Sequence, residues 1–450
     1  MSGVVVVGCA RTGVAVARRL RSEGTPVTVI EEHPGSTEVY RERAAAVRAC
    51  GAELLEAPSA SDAVARVAAS DMLVPSPLVA PDHPLVVAAG SAGVAVRAEI
   101  DLAADRARVP VVAVTGTNGK TTVTSLISAL LVASGTRAVA AGNIGRPLIE
   151  AVGDDGVDVI VAEVSSFQLA FAPAFRPAVA VLLAVTPDHL DWHGDFAAYA
   201  AAKSRITTGQ RPDAVLVFDA DDPVARSIAA DSPARRVGVS VRADAVDCAR
   251  VAGDDLIAVD GAVIAPVASL RRSLGHDLTN ALAAATAAAA AGATPEGVRS
   301  GLAAYETMPH RVALVGESGG VRWYDDSKAT NPDAAVRAVS SFPSVVLLAG
   351  GRNKGLDLSV LAGPADRLRG VVAFGEAAPE VAGAFAATAI PVVTVPSVPD
   401  AVEVAATLAR PGDVVLLSPA CASFDAYDGY AARGDDFAAA VRGRVLESAP

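Results

Sequence analysis

Residues 111–122 read VVAVTGTNGKTT, a run of small apolar residues that passes into a glycine turn and then into a Lys-Thr pair. A stretch rich in Ser, Leu and Ile with helical character follows it. Glycines in such a turn let backbone N–H groups approach oxygen atoms, and the lysine reaches the terminal phosphates of a nucleotide. The stretch therefore predicts a shortened phosphate loop between a strand and a helix. In this loop we expect Lys120 to bind the phosphates and the Thr121 hydroxyl to be a ligand of Mg²⁺. The usual first glycine of such loops is replaced by Val114.

Short apolar runs alternate with Ala- and Arg-rich stretches from end to end. Continuous apolar strands separated by helices indicate parallel sheets that are covered on both faces. A chain of 450 residues holds about three domains of roughly 150 residues each. We predict an α/β protein of three domains, each a largely parallel sheet with flanking helices. The predicted domains are residues 1–107 (Rossmann-like), 108–308 (like a P-loop ATPase) and 309–450 (Rossmann-like). The predicted strands lie at 4–7, 27–30, 111–114, 157–162, 178–183, 214–218, 345–348, 371–374 and 414–417, and residues 231–275 read as irregular or antiparallel structure.

The bulk composition limits the classes of function. Hydrophobic residues make up 52% of the chain, the net charge is −12 and the isoelectric point is near 5.0. A nucleic-acid-binding protein is expected to show a basic face, so this balance argues against a nucleic-acid partner. The four cysteines have no metal-like or framework spacing, which indicates free thiols in a reducing compartment.

Neither the N-terminal stretch nor the most apolar run of the chain indicates a membrane protein. The opening MSGVVVVGCARTG has no basic lead and no cleavage site, so we expect no signal peptide. The most membrane-like run, within residues 280–295, is too short and too Ala-rich to span a bilayer, which needs about 20 strongly apolar residues. We read this run as a helix that packs closely through small side chains. We therefore expect a cytoplasmic protein without a membrane partner, and a monomer.

Lysine is rare in this chain, and its positions are informative. Only four lysines occur, at 120, 203, 328 and 354, whereas arginine supplies the other positive charges. An ammonium group is a compact point charge that can lose its proton and react, and a guanidinium group does neither. All four lysines fall beside Gly-rich turns, acidic clusters or strand ends. We therefore predict that each lysine has a place in the active site.

Two further candidates follow predicted strands of the central domain. Glu163 ends a strand in the stretch AEVSSFQL, at the edge where α/β sheets bind ligands, and carboxylates are good ligands for Mg²⁺. The stretch TPDHLDWH at 186–193 places two histidines and two aspartates after the next strand. We favour His189 over His193 as the functional histidine, although spacing alone does not separate them.

Lys203 lies in a predicted helix over residues 195–207. Phe196, Tyr199, Lys203 and Ile206 are spaced to share one face, so the lysine is expected to point inward with apolar residues. A buried amine is more easily deprotonated, and a neutral amine can add CO₂ to become a carbamate. We hypothesise that carbamylated Lys203 is an anionic ligand of Mg²⁺.

The N-terminal strand is followed by Gly-Cys-Ala-Arg-Thr-Gly at residues 8–13, and Glu31 follows the next strand. This order is close to the dinucleotide-binding fingerprint, in which an acidic residue after the second strand binds the ribose. Ala10 replaces the middle glycine, and its Cβ would obstruct a pyrophosphate. A dinucleotide and another phosphate-containing ligand both stay open from these residues alone.

Together these stretches resemble the Mur ligases, the ATP-dependent enzymes that build the peptidoglycan stem peptide. The resemblance covers essentially the whole chain in order, and the stretches SSFQL and SPACASFD are typical of the branch that adds D-glutamate. A DNPR-type motif, expected in the branch that adds diaminopimelate or lysine, is absent from the sequence. The matching stretches are GTNGKTT at 116–122, GNIG at 142–145, EVSSFQL at 163–169, TPDHLD at 186–191, PHR at 309–311, DSKATN at 326–331, GG..KG at 350–355 and LSPACASFD at 417–425.

The resemblance implies a reaction and a set of site residues. The implied reaction joins D-glutamate to UDP-N-acetylmuramoyl-L-alanine, with ATP and two Mg²⁺ ions, through an acyl phosphate. The implied catalytic residues are Lys120, Glu163, His189 and Lys203. The implied metal ligands are Thr121 and Glu163 at one ion, and His189 and the Lys203 carbamate at the other. The implied ATP contacts are Gly116, Thr117, Asn118, Gly119, Lys120, Thr121, Thr122, Asn280, Arg311 and Asp326. The implied contacts of the uridine substrate are Arg11, Thr12, Glu31 and Asn143, and those of glutamate are Lys328, Thr330, Lys354, Ser423, Phe424 and Tyr430.

The sequence departs from the family pattern at two places. Gly275-His276-Asp277 stands where the family often has His-Asn, with Asn280 as a possible substitute, and Ser76-Pro77-Leu78 lacks a glycine that is usual in the family. The alternatives are a related ligase for another amino acid, including L-glutamate, a folylpolyglutamate-type ligase, a P-loop ATPase switch and an NAD-dependent oxidoreductase. A folate relative is expected to begin near its phosphate loop, whereas more than one hundred residues precede Lys120 here.

Overall fold

The structure is a computed structural model that describes residues 3–447. Within these residues the strands form three sheets of five, nine and six strands. By its internal contacts the chain divides into two compact units. The first unit comprises the chain up to Val185, Trp192–Arg271 and Leu278–Tyr305, and the second comprises Thr186–Asp191, Arg272–Asp277 and the chain from Glu306 onward.

The first unit begins with a five-stranded sheet in which every pair is parallel, in the order β3-β2-β1-β4-β5. Its central strand β1 is four valines, all of them buried, as expected for a strand covered on both faces. The chain order reverses between β1 and β4, so the loops after these strands border the crevice where such sheets bind ligands. The strands are β1 (Val4–Val7), β2 (Val27–Glu31), β3 (Glu53–Glu56), β4 (Met72–Pro75) and β5 (Ala95–Val96). The helices are α1 (Arg11–Ser22), α2 (Glu38–Ala49), α3 (Ala60–Ala68), α4 (Pro84–Ser91) and α5 (Glu99–Ala104).

A nine-stranded sheet follows, in the order β14-β13-β12-β11-β10-β9-β6-β8-β7. The strand β6, which leads into the predicted phosphate loop, is an interior strand between β9 and β8. The strands are β6 (Val111–Thr115), β7 (Ala138–Gly142), β8 (Val159–Glu163), β9 (Val179–Leu182), β10 (Val215–Asp219), β11 (Arg235–Ser240), β12 (Cys248–Ala252), β13 (Asp255–Ile257) and β14 (Val263–Pro266). The helices from here to the end of this region are α6 (Lys120–Ala133), α7 (Leu148–Ala151), α8 (Ser166–Ala170), α9 (Leu190–His193), α10 (Phe196–Ser204), α11 (Pro223–Ala230), α12 (Gly275–Ala290) and α13 (Pro295–Ala304).

The prediction for residues 231–275 was partly wrong. β11 pairs parallel with β10, and β12 pairs parallel with β11, so these strands extend the parallel sheet. Only β13 and β14 add antiparallel pairs at the edge. The direction of an edge strand depends on where its connection crosses, and the local residue pattern does not record that path.

The Ala-rich helix α12 packs closely, as predicted. Seven of its residues between Ala281 and Ala288 are buried within one apolar core. The neighbouring helices α13 and α6 approach closely through glycine, because a Cβ added at Gly301 would lie 2.7 Å from Leu130 Cδ2.

No helix in residues 3–447 is both long enough and apolar enough to cross a bilayer.

The second unit contains the six-stranded sheet, in the order β15-β16-β20-β17-β18-β19. All its pairs are parallel except β15 with β16. The strands are β15 (Ala313–Ser318), β16 (Val321–Asp325), β17 (Val345–Gly350), β18 (Leu368–Phe374), β19 (Val392–Val395) and β20 (Val414–Ala420). The helices are α14 (Pro332–Ser340), α15 (Ala378–Ala384), α16 (Val398–Leu408) and α17 (Tyr430–Glu447). Three largely parallel α/β sheets with flanking helices confirm the predicted fold class, and the domain boundaries at 107/108 and 308/309 stay predictions.

Candidate active site

The predicted phosphate loop joins β6 to α6. The amide of Thr117 donates to Ala184 O at 2.8 Å, and the Thr117 hydroxyl lies 3.0 Å from the Tyr199 hydroxyl. The α6 N-cap is Gly119, which has no side chain to cap the helix. A glycine turn that leads into a helix is a common anion-binding site, because the first backbone N–H groups of the helix point toward the ligand. Asn118 precedes Gly119, and Thr121 and Thr122 follow in the first turn.

Two glycines of this loop are required by space as well as by backbone angle. Gly116 has a φ of 147° and Gly119 a φ of 83°, both in the left-handed region. A Cβ at Gly116 would lie 2.6 Å from Leu183 Cβ, and one at Gly119 would lie 2.6 Å from Asn280 Oδ1. Asn280, predicted as a nucleotide contact, therefore lies directly against the loop.

Two of the four lysines share one acceptor in this loop. Lys120 Nζ donates to Gly116 O at 3.0 Å and to Thr117 O at 2.9 Å. Lys203 Nζ donates to the same Gly116 O at 2.7 Å and lies 4.6 Å from the centre of the Tyr199 ring. Lys203 is only 1% exposed, so the prediction that it points inward is confirmed. The structure therefore brings both lysines to backbone carbonyl groups of the phosphate loop.

Glu163 lies on the neighbouring strand, opposite Val114 of β6. Its Oε1 accepts a hydrogen bond of 2.7 Å from Asn143 Nδ2, and Asn143 N donates to Glu163 O at 2.8 Å. Glu163 is 3% exposed, and no described residue donates to its buried Oε2. The expectation that this carboxylate ends the strand beside the phosphate loop is confirmed.

The unpartnered Oε2 tests whether these residues fit a divalent cation. A buried carboxylate oxygen without a donor is costly, and hard cations such as Mg²⁺ prefer this type of ligand. Thr121 in the first turn of α6 adds a hydroxyl oxygen. The donor set at the ends of β6 and β8 therefore fits Mg²⁺.

The two candidate histidines have different surroundings. His193 belongs to the first unit, where its Nε2 lies 2.9 Å from Ser166 Oγ and its ring stacks on Phe167 at 5.7 Å between centroids. His189 belongs to the second unit and has a left-handed φ of 52°, which residues other than glycine adopt uncommonly. Its N–H donates to Asp188 Oδ1 at 2.9 Å, and its side chain is 37% exposed. His193 is thus part of an aromatic cluster, and the choice of His189 stays a prediction.

The predicted uridine-substrate residues gather around the first loop of the five-stranded sheet. Glu31 accepts from Cys9 N at 2.8 Å and from His33 N at 3.0 Å, so this carboxylate holds the loop backbone. Arg11, at the start of α1, donates to Gly145 O of the GNIG stretch. Thr12 follows Arg11 in the first turn of the same helix.

The loop after β4 lies against this same place. Gly8 has a φ of 97°, and a Cβ there would lie 2.4 Å from Ser76 Oγ. Leu78, at the position where the family often has glycine, is 82% exposed, and its carbonyl accepts from Trp192 Nε1 at 3.3 Å. The crevice between β1 and β4 is therefore lined by the two loops that sequence reasoning indicated.

In the second unit the predicted nucleotide residues Arg311 and Asp326 lie near each other. Burial raises the pKa of Asp326 to about 7, even though a hydrogen bond from Ser418 and the Arg311 charge each lower it. Ser418 Oγ donates to Asp326 Oδ2 at 2.8 Å. Arg272 donates to Arg311 O at 2.5 Å and pairs with Asp277 at 2.6 Å. Asp277, the departure from the family pattern, thus helps to hold the backbone of Arg311.

Lys328 and Tyr430 meet directly. Lys328 Nζ lies 3.8 Å from the centre of the Tyr430 ring, within the range of a cation–π contact. The His310 ring meets the Tyr430 ring edge-on, with 6.1 Å between centroids, and its Nδ1 lies 2.6 Å from Asp325 Oδ2. The PHR and DSKATN stretches and the start of α17 therefore form one cluster.

Lys354 binds Asp188 of the TPDHLD stretch. Its Nζ lies 2.5 Å from Asp188 Oδ1, and Asn331 Nδ2 donates to Asp188 Oδ2 at 3.1 Å. Asp188 is 4% exposed and therefore fixes the orientation of both partners. Sequence reasoning quoted Asp188 but gave it no role. The other predicted glutamate contacts are Thr330 in the DSKATN stretch, buried Ser423 and Phe424, which is 66% exposed.

Sequence reasoning missed Arg433, which is fully buried in α17. Its guanidinium donates to Ser327 O at 2.9 Å, Cys421 O at 3.1 Å and Ala422 O at 3.3 Å, and Nε donates to Ser327 Oγ at 2.9 Å. Burial lowers the pKa of Arg433 to about 10. One side chain thus ties the DSKATN loop to the SPACASFD loop.

Gly434, the residue after Arg433, is the sequence feature that indicates close packing of this part of α17. Glycine inside a helix costs about 1 kcal/mol relative to alanine and so indicates a close approach. A Cβ at Gly434 would lie 2.2 Å from His310 Nδ1 and 2.7 Å from Asp325 Oδ2. The helix therefore needs glycine here to lie against the His310–Asp325 pair.

Comparison with known proteins agrees with this geometry. The chain matches the Mur ligase middle domain over residues 114–288 and the Mur ligase glutamate ligase domain over residues 310–421. A UDP-N-acetylmuramoylalanine–D-glutamate ligase from Frankia casuarinae is 42% identical and covers 98% of this chain and 94% of its own. A protein of the same name from Thermobifida fusca is 39% identical and covers 98% of each chain.

A solved structure adds a comparison of fold. The MurF ligase from Thermotoga maritima, in complex with ADP, has a TM-score of 0.60 at 18% identity over 94% of this chain and 90% of its own. This likeness concerns the fold alone. The full-length sequence identities, together with the two domain matches, show that this chain belongs to the Mur ligase family.

Proposed function

We propose that this chain is an ATP-dependent ligase that adds D-glutamate to UDP-N-acetylmuramoyl-L-alanine, a step of peptidoglycan precursor synthesis. The observation that carries the nucleotide half of the proposal is the phosphate loop beside the buried Glu163, whose Oε2 has no described donor. The choice of substrates is supported by relatives named for this reaction, which are 42% and 39% identical over nearly the whole chain.

The proposed reaction has two steps. The carboxylate of the substrate's alanine attacks the γ-phosphorus of ATP, the bond to the bridging oxygen breaks, and ADP leaves. The glutamate amine then attacks the acyl carbon of the acyl phosphate, loses a proton and displaces phosphate to leave an amide. Lys120 and the first N–H groups of α6 are suited to stabilise the charge of the transferring group, an effect worth several kcal/mol in related chemistry.

Two Mg²⁺ ions are part of the proposal. Thr121 and Glu163 would hold the first, and His189 with carbamylated Lys203 the second. When bound, the ions disperse negative charge on the phosphates and the acyl group. The burial of Lys203 supports a neutral amine, which is the form that adds CO₂.

The carbamate has its own test. Lys203→Ala should be nearly inactive and should be partly rescued by a small carboxylic acid that replaces the missing anion. Lys203→Met is the matched control, because it keeps the buried volume and leaves too little space for such an acid. Full activity of Lys203→Ala without added acid would contradict the carbamate hypothesis.

The substrate contacts are proposed by domain. We assign the uridine substrate to Arg11, Thr12, Glu31 and Asn143, and ATP to the phosphate loop with Asn280, Arg311 and Asp326. We assign glutamate to Lys328, Thr330, Lys354, Ser423, Phe424 and Tyr430. The use of ATP and a UDP-linked precursor favours the cytoplasm, and we propose a monomer with neither nucleic acid nor membrane as a partner.

The experiment that tests the function measures phosphate release and product mass together. Purified protein with Mg²⁺, ATP and UDP-N-acetylmuramoyl-L-alanine is given a panel of D- and L-amino acids. We expect one amide product, with D-glutamate, and one phosphate released per amide. An amide with L-glutamate instead would correct the amino acid, whereas phosphate release without any amide would favour a P-loop ATPase switch.

A further inference from the structure

Two carboxyl side chains are buried in α5, the short helix between the five-stranded sheet and β6. Glu99 is 2% exposed and Asp101 is 0% exposed. A carboxyl group in the interior is costly unless its oxygens accept hydrogen bonds, so its partners indicate why it is there. Both residues lie within the first unit, as do all the partners described below.

Glu99 binds the helix that follows the GNIG stretch. Its Oε1 accepts from Ile149 N at 2.6 Å, and Ile149 lies in α7, four residues after the end of GNIG. The backbone of Leu148 and the side chain of Gln168 also lower the pKa of Glu99, which places them beside the same carboxyl. Gln168 is part of SSFQL. The Glu99 carboxyl group therefore lies beside both the helix that follows GNIG and the SSFQL stretch.

Asp101 binds the segment that follows α8. Its Oδ1 accepts from Ala174 N at 2.9 Å, and its Oδ2 accepts from Arg97 Nε at 2.6 Å. The backbone adds a third connection, because Ala98 N donates to Phe171 O at 2.6 Å. Residues 98–101 are therefore fastened both to α7 and to the end of α8.

These two segments continue directly from the loops that hold the candidate substrate contacts. Asn143 precedes α7, and its side chain donates to Glu163, which precedes α8. We propose, resting on the function proposed above, that Glu99 and Asp101 are positioning residues for the uridine-linked substrate. They fix α7 and α8 against the linker of the N-terminal domain, so that Asn143 and Glu163 present one geometry to the substrate's acyl end.

Because Glu99 can ionise, a positioning role should make the binding of the uridine substrate depend on pH. Burial, together with the nearby Glu150 carboxylate, raises the pKa of Glu99 to about 7, although the hydrogen bond from Ile149 N lowers it. The other charged groups of this segment are Arg97, Asp101 and Asp105, which pair with one another. Because the folded-state pKa lies above the unfolded value of 4.5, the ionised carboxylate costs stability, and this cost grows as the pH rises from 4.5 to 7.

The ionised form nevertheless makes the stronger hydrogen bond to Ile149 N. A purely structural role would therefore be served better by glutamine, which accepts the same bond without a charge. For a positioning role, Glu99→Gln should raise the Tm at pH 8 and at the same time raise the KM for the uridine substrate.

The test uses Glu99→Gln, Glu99→Ala and Asp101→Asn, with Asp105→Asn as the control on the same segment, where Asp105 is 47% exposed. We expect Glu99→Gln to raise the KM for UDP-N-acetylmuramoyl-L-alanine about fivefold and Glu99→Ala about tenfold or more, as for loss of a charge-assisted hydrogen bond. The KM for ATP should change less than about twofold. In the wild type the KM for the uridine substrate should rise as the pH falls below about 7, and Glu99→Gln should remove this dependence.

Two kinetic outcomes would overturn the proposal. The first is a stabilised Glu99→Gln whose KM for the uridine substrate equals that of the wild type. The second is an equal rise in both KM values, which would show a general loss of structure.

Hydrogen exchange separates this proposal from the proposed function. If the wild type forms no amide, the proposed function fails, and the exchange rates of the Ile149 and Ala174 amides still test the anchoring. Faster exchange at Ile149 in Glu99→Ala, and at Ala174 in Asp101→Asn, with no change in Asp105→Asn, supports it. Unchanged exchange at both amides overturns it.

Discussion

The phosphate-loop region of the first unit and the Arg433 region of the second unit are built on different plans. In the first, residues 111–122 are contiguous, and the loop's own glycines and carbonyl groups set its geometry. In the second, loops at 326–331 and 417–425 are far apart in the chain and are tied together by one buried guanidinium. The first plan depends on local backbone freedom and the second on long-range packing, so different substitutions should damage them.

The largest effect that this comparison predicts is on the chemistry of the contiguous loop. Lys120→Ala should lower the rate of amide formation about a thousandfold, because removal of a charge aimed at a transferring phosphoryl group costs several kcal/mol. The Tm should hardly change, since Lys120 is only half-buried. Steady-state rates and thermal unfolding measure the two effects. Activity within tenfold of the wild type would contradict the assignment of the loop.

The next largest effect concerns the pH dependence of the second unit. Because burial raises the folded-state pKa of Asp326 to about 7 from 3.8, the native state keeps a proton that the unfolded chain has lost. The free energy of unfolding should fall as the pH rises from about 4 to about 7 and then level off. Asp326→Asn should remove this fall, which amounts to at most about 4 kcal/mol at 1.36 kcal/mol per pKa unit. Urea unfolding at several pH values measures it, and an unchanged slope in Asp326→Asn would refute the prediction.

Removal of the Arg433 guanidinium should lower the stability of the second unit by a somewhat smaller amount. Arg433→Met should destabilise the second unit by about 3 kcal/mol, because it leaves buried carbonyl groups without donors. It should also raise the KM for glutamate and leave ATP binding to the phosphate loop intact. Arg442→Met, an exposed position of the same helix, is the matched control and should change neither quantity. Equal effects from the two arginines would argue against an organising role for Arg433.

The smallest predicted effect concerns two helix caps of the first unit, of which only one caps the helix that carries Lys203. Asp195 caps the helix that carries Lys203, and Asp222 caps α11 in the same way. Each aspartate replaced by alanine should lose about 1 kcal/mol of stability. Only Asp195→Ala should also lower activity, by a few-fold, because fraying of α10 disturbs the bond from Lys203 to Gly116 O. Indistinguishable activities would show that the cap does not act through Lys203.

Sequence reasoning succeeded where neighbouring residues settle the geometry. The strand, turn and helix around Gly116 and Gly119, the strand end at Glu163 and the inward face of Lys203 all follow from local spacing. It was less successful at residues 231–275, where the direction of β11 and β12 is set by the path of their connections. It also could not separate His189 from His193, because four residues are too few to show that the two lie in different units.

The sequence by itself therefore determined the fold class, the phosphate loop and the family, because these depend on contiguous patterns of apolar residues, glycines and reactive side chains. Only the tertiary structure decided the partners of Asp188, Glu99 and Arg433. Each of these charges is buried, and its partners come from segments distant in the chain. A charge taken out of water must find its hydrogen bonds where the sheet order brings donors and acceptors together, and that order is a property of the folded whole.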